Sequence, residues 1–116
     1  MVLPPSFVMP LQILLDRATD SEKSTQALKR LYTRWARQFY WYEKQFKNSQ
    51  IPCTFSYHRR TATLNEQSGM SDYPRGNMVH ENLEIHVDIQ SQMIEYALTM
   101  SKYASLVGDN LNATDF

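Results

Sequence analysis

The side chains that most often bind metals or act as nucleophiles are few in this chain. His80 and His86 are six residues apart, a spacing that does not bring them onto one face of a helix. Cys53 and His58 are five apart in a segment of alternating polarity, so we expect them on opposite sides of it. Cys53 follows Pro52 in an apolar context, which favours a small buried residue over a nucleophile. The sequence therefore predicts no metal ligand and no catalytic cysteine.

Other kinds of catalytic site also lack a signal. The chain has 116 residues with 12 Lys+Arg, 12 Asp+Glu, one cysteine and three glycines. One cysteine excludes an intramolecular disulfide framework, and so few glycines leave no phosphate-binding loop. Carboxylates cluster only at the start of a predicted helix, where a solvated face explains them. We therefore expect no cofactor, no catalytic residue and no enzymatic activity.

A basic and aromatic run is the strongest candidate for a binding surface. Residues 29–37 carry four basic side chains, and residues 39–42 are all aromatic. Such a surface can bind phosphates and stack on bases, which makes a small nucleic-acid-binding accessory protein the alternative function. The leading interpretation is helix packing, in which an acidic second helix meets the basic flanks at Arg30, Arg34, Arg37, Lys44 and Lys47.

The N-terminal half is predicted to be helical after a short arm. Residues 1–10 are apolar and contain three prolines, so we expect an extended arm that docks on its own domain or on a partner. Residues 11–47 form one helix or a helix pair, with Ser21 or Asp20 as a cap if the helix is broken. The apolar positions recur at spacings of three and four: Leu28, Leu31, Trp35, Phe39, Tyr42 and Phe46.

The C-terminal half combines an irregular segment with a second helix. Residues 48–78 read as an extended or loop segment with a possible short β element, because residues 51–58 alternate in polarity. Residues 79–108 read as a helix that stops at Gly108, and we expect the 109–116 tail to fray. The apolar stripe of this helix is Ile85, Ile89, Met93, Tyr96, Met100, Tyr103 and Val107.

These elements predict one small, mainly α domain over residues 1–116, in which two long amphipathic helices pack antiparallel like a short coiled coil. Two helices bury little apolar surface at this size, so we expect self-association or protein partners. The first helical region is net basic and the second net acidic, which favours their pairing. The predicted protein interface is Trp35, Phe39, Tyr40, Trp41, Tyr42, Ile89, Met93, Tyr96 and Met100. No apolar segment is long enough to span a membrane.

Residues 76–107 resemble a known family. A Gly76–Asn77–Met78–Val79 turn is followed by Glu84, Gln92 and Tyr96–Ala97–Leu98–Thr99 in a long amphipathic helix. This pattern is similar to the C-terminal segment of bacterial flagellar proximal rod proteins, whose terminal helices pair in the axial rod. The resemblance implies a non-catalytic structural or assembly subunit of the flagellar basal body, with no cofactor. Without it, the default location is the cytoplasm.

Overall fold

The computed structural model describes residues 5–18, 21–57 and 85–116, and four helices lie within these ranges. They are α1 (Val8–Ala18), α2 (Glu22–Phe46), α3 (Val87–Val107) and α4 (Asn110–Ala113). Helices hold 73% of the described residues, which confirms the mainly α fold. The possible β element is, within the described residues, one isolated bridge between Lys47 and Phe55. The predictions for residues 58–84 lie outside the described part of the chain, and the division of the whole chain into domains stays a prediction.

Part of the predicted extended arm is helical. Helix α1 begins at Val8, so residues 8–10 belong to a helix and the extended assignment is wrong there. Pro10 is the third residue of α1 and lies in its first turn. Backbone N–H groups of a first turn have no partner within the helix, so the N–H group that proline lacks costs little there. The described part of the arm docks on its own chain, because the Phe7 ring lies 5.2 Å from Trp35 and 5.3 Å from Tyr96.

Helix α2 is separate from α1 and begins with a side-chain cap. Ser21 has an extended backbone, and its Oγ accepts a hydrogen bond from the Ser24 N–H at 3.2 Å. This bond satisfies one of the N–H groups that a helix start leaves without a partner. Residues 19 and 20, including the alternative cap Asp20, are outside the described ranges. Of the two possibilities that the sequence left open, the structure has a helix pair.

Helix α3 begins later than the sequence predicts. Residues 79–84 are not described, but Ile85 and His86 are not helical, and α3 starts at Val87. His86 is the N-cap of α3 with an extended backbone, and its side chain accepts a hydrogen bond from the Tyr57 N–H at 3.2 Å. At its other end α3 stops as expected at Gly108, whose φ of 85° is left-handed.

The C-terminal tail is ordered, which corrects the expectation that it frays. The Asp109 carboxylate caps α4 by accepting from the Asn112 backbone N–H at 3.4 Å. Beyond α4, the Phe116 ring contacts Phe39 at 5.1 Å and stacks on Tyr40 at 5.5 Å. The contacts of the Phe116 ring and the Asp109 cap together order residues 109–116, whose polar composition alone predicts fraying.

The core lies between α1, α2 and α3. Two tyrosine hydroxyls of α3 donate to carbonyl oxygens of α2, from Tyr103 to Leu28 at 2.5 Å and from Tyr96 to Trp35 at 3.3 Å. Buried hydroxyls need such partners, so these bonds allow two large rings to be fully buried. Among the described residues, no helix is long and apolar enough to cross a membrane.

Candidate functional site

Most of the predicted interface residues lie in the core of the chain itself. Tyr40 and Trp41 are 44% and 47% exposed, and Trp35 is half-buried. The other six are buried against residues of the same chain: Phe39, Tyr42, Ile89, Met93, Tyr96 and Met100. The spacing of apolar residues identifies a buried helix face but not which surface packs on it. Here that surface belongs to the same chain. A partner contact at Tyr40 and Trp41 stays a prediction.

Cys53 does not lie where the sequence predicts. Its side chain is exposed and its φ is 56°, a left-handed conformation in a tight turn, so the expectation of a buried core residue is wrong. His58 and His80 are outside the described residues. In residues 5–18, 21–57 and 85–116 no three His, Cys, Asp or Glu side chains lie together so as to hold a metal ion.

The best-defined polar site joins the loop after α2 to the first turn of α3. The Tyr57 N–H donates to His86 Nδ1 at 3.2 Å, and the Phe55 N–H donates to Gln90 Oε1 at 2.9 Å. Gln90 Nε2 donates in turn to the Cys53 carbonyl oxygen at 3.3 Å. We call residues 53–57 together with His86, Asp88 and Gln90 the loop–helix clamp.

The loop that enters the clamp is itself stiffened by Asn48. Asn48 is buried, and its Oδ1 accepts from the backbone N–H groups of Gln50 and Ile51 at 2.9 and 3.0 Å. Its Nδ2 donates to Ser56 Oγ at 3.0 Å, and the Ser56 N–H donates to the Phe46 carbonyl oxygen at 2.8 Å. An asparagine that bonds its own loop in this way replaces the hydrogen bonds that a strand would supply.

A carboxylate and a phenol meet at the centre of the clamp. The Tyr57 hydroxyl donates to Asp88 Oδ2 at 3.0 Å, and the Tyr57 ring is fully buried between Phe46 and His86. Asp88 is the second residue of α3, where the helix dipole and this hydrogen bond both stabilise its negative charge.

The hydrogen bonding also fixes the state of His86. Because its Nδ1 accepts from a backbone N–H, the neutral ring carries its proton on Nε2, as inferred from this bond. The clamp therefore assembles an acid, a phenol and an imidazole between the loop after α2 and the start of α3.

Sequence reasoning missed this site. The sequence predicts Asp88 on a solvated helix start and gives His86 no role, whereas His86 is buried. The bond from Tyr57 to His86 spans 29 positions in the chain, and no local pattern links such distant residues. The aromatic alternation that ends in Tyr57 was the one available signal, and it predicted only an extended backbone.

Comparison with known proteins changes the functional interpretation. A family model, the glycosyl hydrolase family 63 C-terminal domain, matches residues 1–116. No curated protein and no solved structure matches the chain. The match overturns the resemblance to flagellar rod proteins, which covered only residues 76–107. It equally overturns the flagellar location, the non-catalytic structural subunit, the nucleic-acid-binding alternative and the expectation of no enzymatic activity. The chain belongs to the family of glycosyl hydrolase family 63 C-terminal domains.

Proposed function

We propose that this chain takes part in the hydrolysis of glycosidic bonds. The observation that carries the proposal is the family match over residues 1–116. Glycoside hydrolases generally use two carboxyl groups, one as a general acid and the other as a base or nucleophile. The chain's carboxylates are therefore the groups to test first.

The clamp supports this proposal because its chemistry suits a sugar. The half-buried Asp88 carboxylate offers hydrogen-bond acceptors, which sugar hydroxyls bind, while the fully buried Tyr57 positions it. Asp88 lies on a helix, and the hydrogen bond from the Tyr57 hydroxyl at 3.0 Å fixes the orientation of its carboxylate. Residues positioned in this way by a stable scaffold are typical of binding and catalytic sites.

Several described carboxylates have simpler roles. Asp16 pairs with Lys102, and Glu43 pairs with Lys47 at 3.8 Å, both on the surface. Glu95 accepts from Gln12 Nε2 at 3.0 Å. These contacts join helices to one another or lie on their surface. Asp109 also accepts from a phenol, the Tyr32 hydroxyl at 3.1 Å, and it caps α4, whereas Asp88 is the carboxylate of the loop–helix clamp.

The direct test is hydrolysis of glycosides by the protein and by its amide variants. The set comprises Asp88→Asn and the variants of the four carboxylates that the sequence carries between Tyr57 and Ile85, namely Glu66→Gln, Asp72→Asn, Glu81→Gln and Glu84→Gln. Loss of a general acid or base lowers the rate by about 10²–10⁴-fold. We expect at least one variant of the set to show such a loss with its fold intact.

The matched control is Glu22→Gln, which alters an exposed carboxylate in the first turn of α2. It should retain the activity of the unmodified protein. A protein that hydrolyses none of a panel of aryl glycosides and oligosaccharides contradicts the proposal. An active protein in which every amide variant keeps full activity contradicts the assignment of these carboxylates.

We also propose that α2 and α3 run antiparallel. The order of their contacts supports this, because Tyr103 bonds to Leu28 while Tyr96, seven residues earlier in α3, bonds to Trp35, seven residues later in α2. Spin labels test it in a Cys53→Ser background. A label at position 29 should lie closer to one at position 102 than to one at position 91, and the reverse order contradicts an antiparallel pair.

A further inference from the structure

The outward face of α2 carries a continuous row of basic residues around one indole. The row has spacings of four, three, four and three, so its members share one helix face: Arg30, Arg34, Arg37, Trp41 and Lys44. All five side chains are exposed. We call these five residues the basic stripe; it lies opposite the face that buries Leu28, Phe39 and Phe46.

The charges of the basic stripe are not neutralised by the described part of the chain. Its ion pairs are Lys47 with Glu43 at 3.8 Å and Lys102 with Asp16, and none includes a stripe residue. The sequence predicts that the acidic second helix meets these cations, and this is wrong for the described residues, because α2 turns the stripe away from α3. Four cations over about 21 Å of helix create a positive potential that attracts anions.

Trp41 adds an aromatic surface in the middle of these charges. Its indole is 47% exposed, with Arg37 one turn before it and Lys44 one turn after it. An aromatic face is electron-rich, so it attracts the weakly positive C–H groups that line one face of a sugar ring. Trp41 is the fourth of the five residues of the basic stripe and its one aromatic member, so a ring that stacks on it lies beside Arg37 and Lys44.

We propose that the basic stripe binds an anionic glycan. A sugar ring stacks on Trp41, and the carboxylate, sulfate or phosphate groups of the same chain contact Arg34, Arg37 and Lys44. The choice of a carbohydrate rests on the proposed function. A glycan also fits the stripe better than a single-stranded nucleic acid, which uses several aromatic residues to stack successive bases, because the neighbouring exposed ring, Tyr40, is already stacked on Phe116 at 5.5 Å and leaves Trp41 as the one aromatic ring among the cations.

Calorimetric titration with two hexasaccharides of defined length tests the inference. The probes are a sulfated hexasaccharide and maltohexaose, which is neutral, and the protein is titrated with each at low and at high salt. We expect the sulfated probe to bind more tightly and to lose that advantage as salt screens the charges. Trp41→Ala should weaken the binding of the sulfated probe about tenfold.

Charge variants show whether the stripe itself is the site. Arg34→Gln and Arg37→Gln should each weaken the binding of the sulfated probe about two- to fivefold, which is the effect of losing one exposed ion pair. Arg17→Gln is the matched control, since it removes an exposed cation of α1 that is not in the stripe. Circular dichroism of each variant should show unchanged helix content.

Several outcomes overturn the inference. They are equal binding of the two hexasaccharides, no binding of the sulfated one, or equal losses for Arg17→Gln and Arg34→Gln. If the stripe binds a polyglutamate peptide or single-stranded DNA but not the sulfated hexasaccharide, its ligand is not a glycan and the inference is wrong. Because the readout is binding, an inactive protein that binds the sulfated probe through the stripe contradicts the proposed function and leaves this inference standing.

Discussion

The backbone N–H of Tyr57 donates to His86 Nδ1 at 3.2 Å across 29 positions of the chain. This bond ties the loop after α2 to the residue that precedes α3. It is made by an imidazole nitrogen that has no proton, so a side chain without an acceptor at that place cannot replace it. The clamp therefore depends on the chemistry of one ring atom, and substitutions can test that dependence.

Two substitutions of His86 should show whether the hydrogen-bond acceptor or the ring as a whole stabilises the clamp. In His86→Asn the amide oxygen can reach the place of Nδ1, whereas in His86→Gln the amide extends beyond it. We expect His86→Gln to lower the free energy of unfolding by about 1–3 kcal/mol, because the Tyr57 N–H is buried without its acceptor. His86→Asn should lose less. Urea denaturation measures both, and equal losses would show that the acceptor is not what matters.

Alkaline pH should weaken the packing of α2 on α3. Burial raises the pKa of Tyr103 to about 12, and burial together with the hydrogen bond to Asp109 raises the pKa of Tyr32 to about 12, above the ordinary value of 10.0. Between pH 10 and about pH 12 these two tyrosines lose their protons in the unfolded chain and keep them in the folded chain. Stability is therefore fully present below about pH 10 and falls as the pH rises toward 12.

The measurement is the urea midpoint as a function of pH between 8 and 12, using phenylalanine variants. Tyr103→Phe and Tyr32→Phe should each lower stability at pH 8 by about 1 kcal/mol, through the lost hydrogen bond, and each should flatten the alkaline decline. If the decline is as steep in both variants as in the unmodified protein, other groups cause it.

At Gly108, in the described part of the chain, an added methyl group should strain the backbone without colliding with any other atom. Its φ is 85°, and a Cβ added there would meet no atom within 4 Å. We expect Gly108→Ala to lower stability by about 1 kcal/mol and Gly108→Asn to cost less, because asparagine tolerates the left-handed region. Thermal unfolding of the two variants checks the order, and a neutral alanine would mean that α3 can end elsewhere.

The helices could be predicted because their signals are local. Residues such as Leu28, Phe39 and Phe46 repeat at helical spacing and are buried on one face of α2, and Ser21 and Gly108 stand where a cap and a stop belong. The start of α1 is harder to predict, because a proline such as Pro10 breaks a helix in its interior but fits in its first turn.

The clamp could not be predicted because its bonds are not local. Gln90 binds Phe55 across 35 positions, and Tyr57 binds Asp88 across 31. A pattern in the sequence reports the periodicity of one element and not which side chain meets which backbone group in another. The core residues show the same limit, since Met93 and Tyr96 have the spacing of a partner interface and are covered by their own chain.

The two tryptophans should behave differently when each is truncated. Trp35 is half-buried and its ring lies 5.2 Å from Phe7, so Trp35→Ala should lower the free energy of unfolding by about 2 kcal/mol or more through lost packing. Trp41 is 47% exposed, and Trp41→Ala should change it by about 0.5 kcal/mol or less.

Urea denaturation, followed by circular dichroism because the substitutions alter fluorescence, gives both values. A small effect of Trp41→Ala on stability means that any loss of binding in that variant belongs to the surface and not to the fold. If Trp41→Ala instead unfolds the chain as readily as Trp35→Ala does, the indole is part of the core. The outward face of α2 would then present only its charges, and a sugar ring would have no aromatic surface to stack on.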